Sequence, residues 1–185
     1  MAVIENPGDG VKAGVGLSKR LNVSSSSNPR DYYSSRDDGK LFNFVSGFDA
    51  TTGNICISIE NDSATDDMYL GYARISCLTN CSFDFYFTES GDTPAGTTLT
   101  AVNMNAKSSK PAEVKAFGNA AVTGITNTTT GKFLHTKTSA YTDDFIELQG
   151  LILGRGHGIN IAVTGNGEVD ITIEGHLEVP PKQAQ

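Results

Sequence analysis

The feature that most constrains this chain is an apolar residue at every second position, repeated in several separate stretches. Ile55, Ile57 and Ile59 alternate with Cys56, Ser58 and Glu60. Phe83, Phe85 and Phe87 alternate with Asp84 and Tyr86. Ile159, Ile161 and Val163 alternate with Asn160 and Ala162, and Val169, Ile171 and Ile173 with Asp170, Thr172 and Glu174. Side chains of an extended strand point to opposite faces in turn, so each pattern marks a strand with one apolar side. The residues from Asn54 to Glu60 read as a half-buried strand. The three Phe side chains on one face are the strongest core signal. Aromatic residues on a strand also stack on nucleic acid bases, but no Lys or Arg interleaves with these.

Weaker patterns fill in the rest. Leu41–Val45 is a short strand. Met68–Leu78 is another, with Ala73, Ile75 and Cys77 on one face. Gly131–Thr136 is short, and Asp143–Leu153 is an irregular strand. Thr164-Gly165-Asn166-Gly167-Glu168 is the turn of a β-hairpin between the last two alternating stretches, since Gly and Asn tolerate positive φ. Its second strand continues through His176 and Leu177, and Pro180-Pro181 ends it. Asn61–Asp67 reads as a solvated loop, and Gly154–Gly158 as a turn. No stretch forms a helical stripe. These signals predict an all-β antiparallel sandwich of the jelly-roll type over residues 41–179. An extended or flexible N-terminal arm (1–40) precedes it and a short tail (180–185) follows. Between the Phe-rich strand and Gly131 lies Gly91–Gly124, polar and rich in Gly, Thr, Asn and Ser. A stretch of that length inside a domain usually carries function or an interface. It is expected to hold short strands and an inter-subunit contact, with Asn103, Asn105 and Asn119 ordering its turns.

Charge narrows the function. The chain carries a formal net charge of −7, which disfavours nucleic acid, because phosphate-backbone affinity comes from Lys and Arg releasing counterions. No apolar run approaches the length that crosses a bilayer, so no membrane partner is expected. The N-terminal residues lack the basic and apolar regions of a secretory signal, which predicts a product made in the cytoplasm. Three cysteines, Cys56, Cys77 and Cys81, then read as small buried thiols rather than a disulfide framework.

No pattern of catalysis emerges. His135, His157 and His176 have no metal-ligand spacing, and Cys77-Leu-Thr-Asn-Cys81 has no second pair nearby to complete a zinc site. Neither a nucleophile elbow nor a phosphate-binding loop is present. The expectation is no enzyme, no cofactor and no metal. Were the chain an enzyme, Asp143, Glu147 and His157 would be the candidates. Tyr69, Tyr72, Tyr86 and Tyr141 are those for stacking on a carbohydrate. In the arm, Arg30, Tyr32, Tyr33 and Arg36 are candidate anchors for a partner.

The run Gly96-Thr97-Thr98-Leu99-Thr100-Ala101-Val102-Asn103-Met104-Asn105, followed by Lys107-Ser108-Ser109-Lys110-Pro111-Ala112, resembles the jelly-roll decoration (cement) and head-surface proteins of tailed-phage virions. Gly118–Gly124, the block from Asn43 to Ile59, and the ending from Ile159 to Leu177 are similar to them too. The resemblance spans roughly residues 41–179, while the first forty fit less well. It implies a homotrimer on the capsid surface of a bacteriophage, docked on the major capsid protein and stabilising the shell. The alternative is a carbohydrate- or receptor-binding β module on a tail or fibre.

Overall fold

A computed structural model describes residues 38–126 and 131–179, together with the backbone of two short strands nearer the N-terminus. Those two, β1 (Val3–Glu5) and β2 (Lys12–Gly14), pair antiparallel with Val3 opposite Gly14. The chain divides into two units, Met1–Arg30 and Asp31–Gln185. All that follows concerns the second.

In order, its strands are β3 (Leu41–Ala50), β4 (Ile55–Asn61), β5 (Asp67–Cys77), β6 (Cys81–Phe87), β7 (Val102–Asn103), β8 (Val114–Phe117), β9 (Lys132–Thr138), β10 (Thr142–Glu147), β11 (Ile152–Leu153), β12 (Gly158–Thr164) and β13 (Gly167–Glu178). They form two antiparallel sheets. One has the order β10-β5-β13-β3-β7, with β11 also on β5, and the other β8-β4-β12-β6-β9. The sheets pack face to face. Phe44, Ile75, Ile171 and Ile173 of the first meet Ile57, Ile59, Phe83, Phe85, Ile159 and Ile161 of the second in one core cluster, all fully buried. Each such side chain stabilises the fold by about 1.5–3 kcal/mol relative to leaving it in water. The all-β antiparallel sandwich is therefore the architecture.

Several details differ from the sequence reading. The last two alternating strands are not a hairpin. β12 lies between β4 and β6, and β13 between β3 and β5, in opposite sheets. The Gly165–Gly167 turn, with φ +135° and +122° at its two glycines, carries the chain from one sheet to the other. Alternation fixes which side chains point inward. It does not fix which strand lies alongside, and two apolar stripes can bury each other by facing across the interior.

β4 is not half-buried, since Cys56 and Ser58 are enclosed as fully as the isoleucines. The register seats Ser58 between Phe117 of β8 and Asn160 of β12. The third residue of the Phe stripe, Phe87, ends its strand 40% exposed and packs on Phe133 at 4.4 Å between ring centroids. The strand beginning at Leu41 runs to Ala50 rather than stopping at Val45. The irregular strand after Asp143 is two strands, β10 and β11, both on β5.

Candidate interaction surface

The Gly91–Gly124 stretch is built into the fold as a rim. Its two limbs pair with each other. Thr93 N donates to Gly124 O at 2.9 Å, Ala95 N to Thr123 O at 3.0 Å, Leu99 N to Ala116 O at 2.8 Å and Gly118 N to Thr97 O at 2.9 Å. Between the limbs, β7 adds to the edge of the first sheet through β3, and within the returning limb β8 adds to the second through β4. One segment thus closes the same side of both sheets. Leu99 anchors it in the core at 7% exposure. The short strands expected there are present.

Its three asparagines have defined work. Asn103 Nδ2 donates to Gly39 O at 2.9 Å and Lys110 O at 3.2 Å, while its Oδ1 accepts from Asn105 N at 2.9 Å. Asn105 Oδ1 accepts from Lys107 N at 3.0 Å. These are side chain-to-backbone turns two residues long, the geometry that short amide side chains favour. Asn119 adopts the left-handed region at φ +56°, which Asn tolerates better than most residues. Its Oδ1 accepts from Gly47 N at 3.0 Å, and its N donates to Ser46 Oγ at 2.8 Å. Ser46 Oγ in turn donates to Cys56 O at 2.8 Å. One buried hydroxyl therefore ties the rim, β3 and β4 together. Gly118 is required beside it, because a Cβ there would lie 2.5 Å from Ser46 Oγ and 2.8 Å from Leu99 Cδ1.

Outward, the rim presents Val102 and Met104, 55% and 45% exposed. Val102 stands opposite Asn43 on β3, so it shares a face with the exposed Val45. Arg30, Tyr32, Tyr33 and Arg36 lie outside the described residues, as does the 180–185 tail.

Beneath the rim is a polar cluster that the sequence reading treated as a solvated loop. Asn61, Ser63 and Asp66 are buried. Asn61 Nδ2 donates to Asp66 O and Leu153 O, both at 2.9 Å, and Ser63 Oγ donates to Glu113 Oε2 at 2.6 Å. Lys40 Nζ donates to Asp66 Oδ2. Burial works against the Asp66 carboxylate, yet the Lys40 ammonium and the Thr65 hydroxyl outweigh it and hold its pKa below the usual range. A run of Asn, Asp, Ser and Thr has the same composition in a solvated loop and a buried hub. The apolar alternation that would have separated them is missing from it.

The opposite side of the sandwich is different. There β9 ends one sheet and β10 the other. Asp84 on β6 is shared by Lys132 Nζ at 3.3 Å and His135 Nδ1 at 2.6 Å. Burial opposes its ionisation, but His135 and then Lys132 bring its pKa down. Arg74 pairs with Asp143 in the open. On the outer face of the first sheet, Tyr72 packs on Phe145 at 4.9 Å and Tyr69 stacks on His176 at 5.2 Å. Tyr141 stands apart. It is 83% exposed with φ +59°, and it borders a shallow cleft with Leu78, Asp143, Glu168 and Asp170.

The three thiols are free and buried. Burial first, and Cys81 second, push Cys56 up to about 12 and Cys77 up to about 11. Thiolate is the reactive form, so neither is an activated nucleophile. His157 takes part in the turn through its backbone, its carbonyl accepting from Asn61 N at 2.9 Å. Asp143 and Glu147 share the outer face of β10 without His157 beside them on that strand. Among the described residues no group of three His, Cys, Asp or Glu side chains is arranged to hold a metal ion. No protein-family model, curated protein or solved structure matches the chain.

Proposed function

We propose that this chain is a structural protein of a tailed-phage virion, decorating and stabilising the capsid by binding the major capsid protein lattice as a homotrimer. The resemblance supplies the class. The observation that carries it is the rim: the residues bearing the resemblance, Gly96–Asn105 and Lys107–Ala112, form a braced edge that displays Val102 and Met104. A partner meets a preformed surface there, without the ordering cost of a loose loop. The strand order supports a jelly-roll form of the sandwich. Rolling an antiparallel ribbon yields the two orders β10-β5-β13-β3 and β4-β12-β6-β9.

Capsid docking suits such a rim. Hydrogen bonds from Asn, Ser and Thr groups each contribute only about 0.5–1.5 kcal/mol net. Three subunits on one capsid position multiply weak contacts into firm attachment. The test is cosedimentation of the purified protein with capsid shells that lack it. The double substitution Val102→Asp with Met104→Asp is expected to weaken binding at least about tenfold while the circular dichroism spectrum stays native. Shells with equal heat resistance with and without the protein would remove the stabilising role.

A second reading, the carbohydrate- or receptor-binding module, rests on Tyr141. An exposed ring can stack on a sugar while the carboxylates beside it accept hydrogen bonds from the sugar's hydroxyls, and a non-glycine residue at positive φ marks a backbone held for a reason. Glycan-array binding that disappears in Tyr141→Ala would favour it over capsid docking.

A further inference from the structure

Among the described residues, the side of the sandwich away from the rim carries two strand edges with no further strand laid on them, and their charges are opposite. β9 reads Lys132-Phe-Leu-His-Thr-Lys-Thr138, with Lys132, His135 and Lys137 and no acid. β10 reads Thr142-Asp-Asp-Phe-Ile-Glu147, with three acids and no base. Among the described residues β9 pairs only with β6 and β10 only with β5. Each therefore offers a row of unpaired backbone groups, the usual template for adding a strand. Lys132 and His135 share Asp84, and Asp143 holds Arg74. Lys137, Asp144 and Glu147 carry no ion pair among the described residues. Phe145, in the middle of β10, is 66% exposed.

We infer that copies of this chain associate by pairing β9 of one with β10 of the next. The two edges lie on one side, one in each sheet, and the tight turn between them, in which Thr142 N donates to Ser139 O, reverses the chain. A rotation axis along the strands, outside that side, brings β9 of the next copy beside β10. Such a rotation preserves strand direction, so the two strands meet antiparallel. The same contact recurs at every junction of a closed ring. Pairing β9 with β9, or β10 with β10, sets like charges opposite each other, which is unfavourable; only the unlike pairing joins base to acid. Setting Lys137 opposite Asp143 of the next copy places His135 opposite Phe145 of that copy and covers its ring. The inference deepens the homotrimer part of the proposed function by naming its interface, and it rests on that reading's claim of self-association, not on the capsid.

The experiment is sedimentation velocity on the full chain across a concentration series, with circular dichroism to confirm folding. Lys137→Glu alone and Asp143→Lys alone each weaken self-association at least about tenfold, by setting like charges across every junction. The two together in one chain restore it to within about threefold of the original, since the unlike pair is rebuilt with its signs exchanged. If the original chain is monomeric at every concentration, both the edge interface and the homotrimer are wrong. If it is an oligomer that either single reversal leaves intact, self-association stands and the β9–β10 interface is overturned.

Discussion

The two sides of this sandwich solve the same problem in different ways. Every open sheet ends in unpaired backbone groups that other chains can capture. On the side of β3 and β4, the chain supplies its own cover. A single polar segment lays β7 on one sheet and β8 on the other, and buried hydrogen bonds fasten it. On the side of β9 and β10 nothing among the described residues covers the edges, and their opposite charges bias what can approach. The covered side depends on buried groups whose partners cannot be replaced by water. The bare side depends on exposed groups that water and salt attenuate. Changes to the first should cost stability, and changes to the second should leave stability alone.

The largest effect is expected at Ser46. Its hydroxyl is 1% exposed and joins Cys56 O, Asn119 N and, through Asn119, the rim. Ser46→Ala orphans a buried acceptor and a donor at once, which costs about 2–3 kcal/mol. Urea unfolding measures it. A loss no larger than that of an exposed Ser→Ala change would mean that the rim is laid on the sandwich rather than fastened to it.

The covered side also contains an acid-sensitive pair. Because Lys40 and Thr65 lower the folded pKa of Asp66, the unfolded chain takes up its proton first as pH falls. The stabilisation is complete above the unfolded value of about 4 and is lost as pH falls through the lower folded value. Asp66→Asn should cost about 2 kcal/mol at neutral pH and flatten the acid limb of the stability profile. Asp84, beside the bare edge, is shifted in the same direction by His135 and Lys132, but those partners are 46% and 37% exposed. Asp84→Asn should therefore flatten that limb less. The reverse order would contradict the comparison.

Asn103 tests the rim's own turns. Asn103→Ala removes two bonds to backbone carbonyls and the acceptor for Asn105 N, all partly open to water. About 1 kcal/mol is expected, with faster protease cleavage between Asn103 and Pro111. Unchanged cleavage would mean that β7 alone holds the excursion.

The sandwich was legible because period-two alternation reports burial directly: Ile57, Ile59, Phe83, Phe85, Ile171 and Ile173 all fall where their pattern places them. Pairing was not legible. The stretch from Ile159 to Ile173 looks like a hairpin because a Gly-rich turn joins two alternating strands, yet the same turn can pass between sheets. Polar burial was the other blind spot. Ser63 and Asp66 have no periodicity to betray them, Asn61 ends the β4 stripe with a polar side chain, and Ser46 sits in a strand whose pattern its own hydroxyl interrupts. Asn103 and Asn105 were legible as turn formers because that chemistry is local, a matter of two residues and one side chain; Asn119 takes a positive φ but spends its side chain on distant Gly47. The bonds to Gly39 and Gly47 span the fold, and spacing along the chain does not encode those.

The smallest effect closes the comparison. Arg74 and Asp143 form the same kind of contact as Lys40 and Asp66, between the same kinds of charge. Their side chains, however, remain 53% and 47% exposed, against 31% and 7% for the buried pair. Exposed pairs gain little, because water already solvates both charges and ordering two long side chains costs entropy. Arg74→Met should leave the urea midpoint where it is, at low and at high salt. A clear drop that vanished in high salt would show that the bare side is held by its charges as firmly as the covered side is by its hydrogen bonds. The contrast between the two edges would then be one of exposure and not of stability.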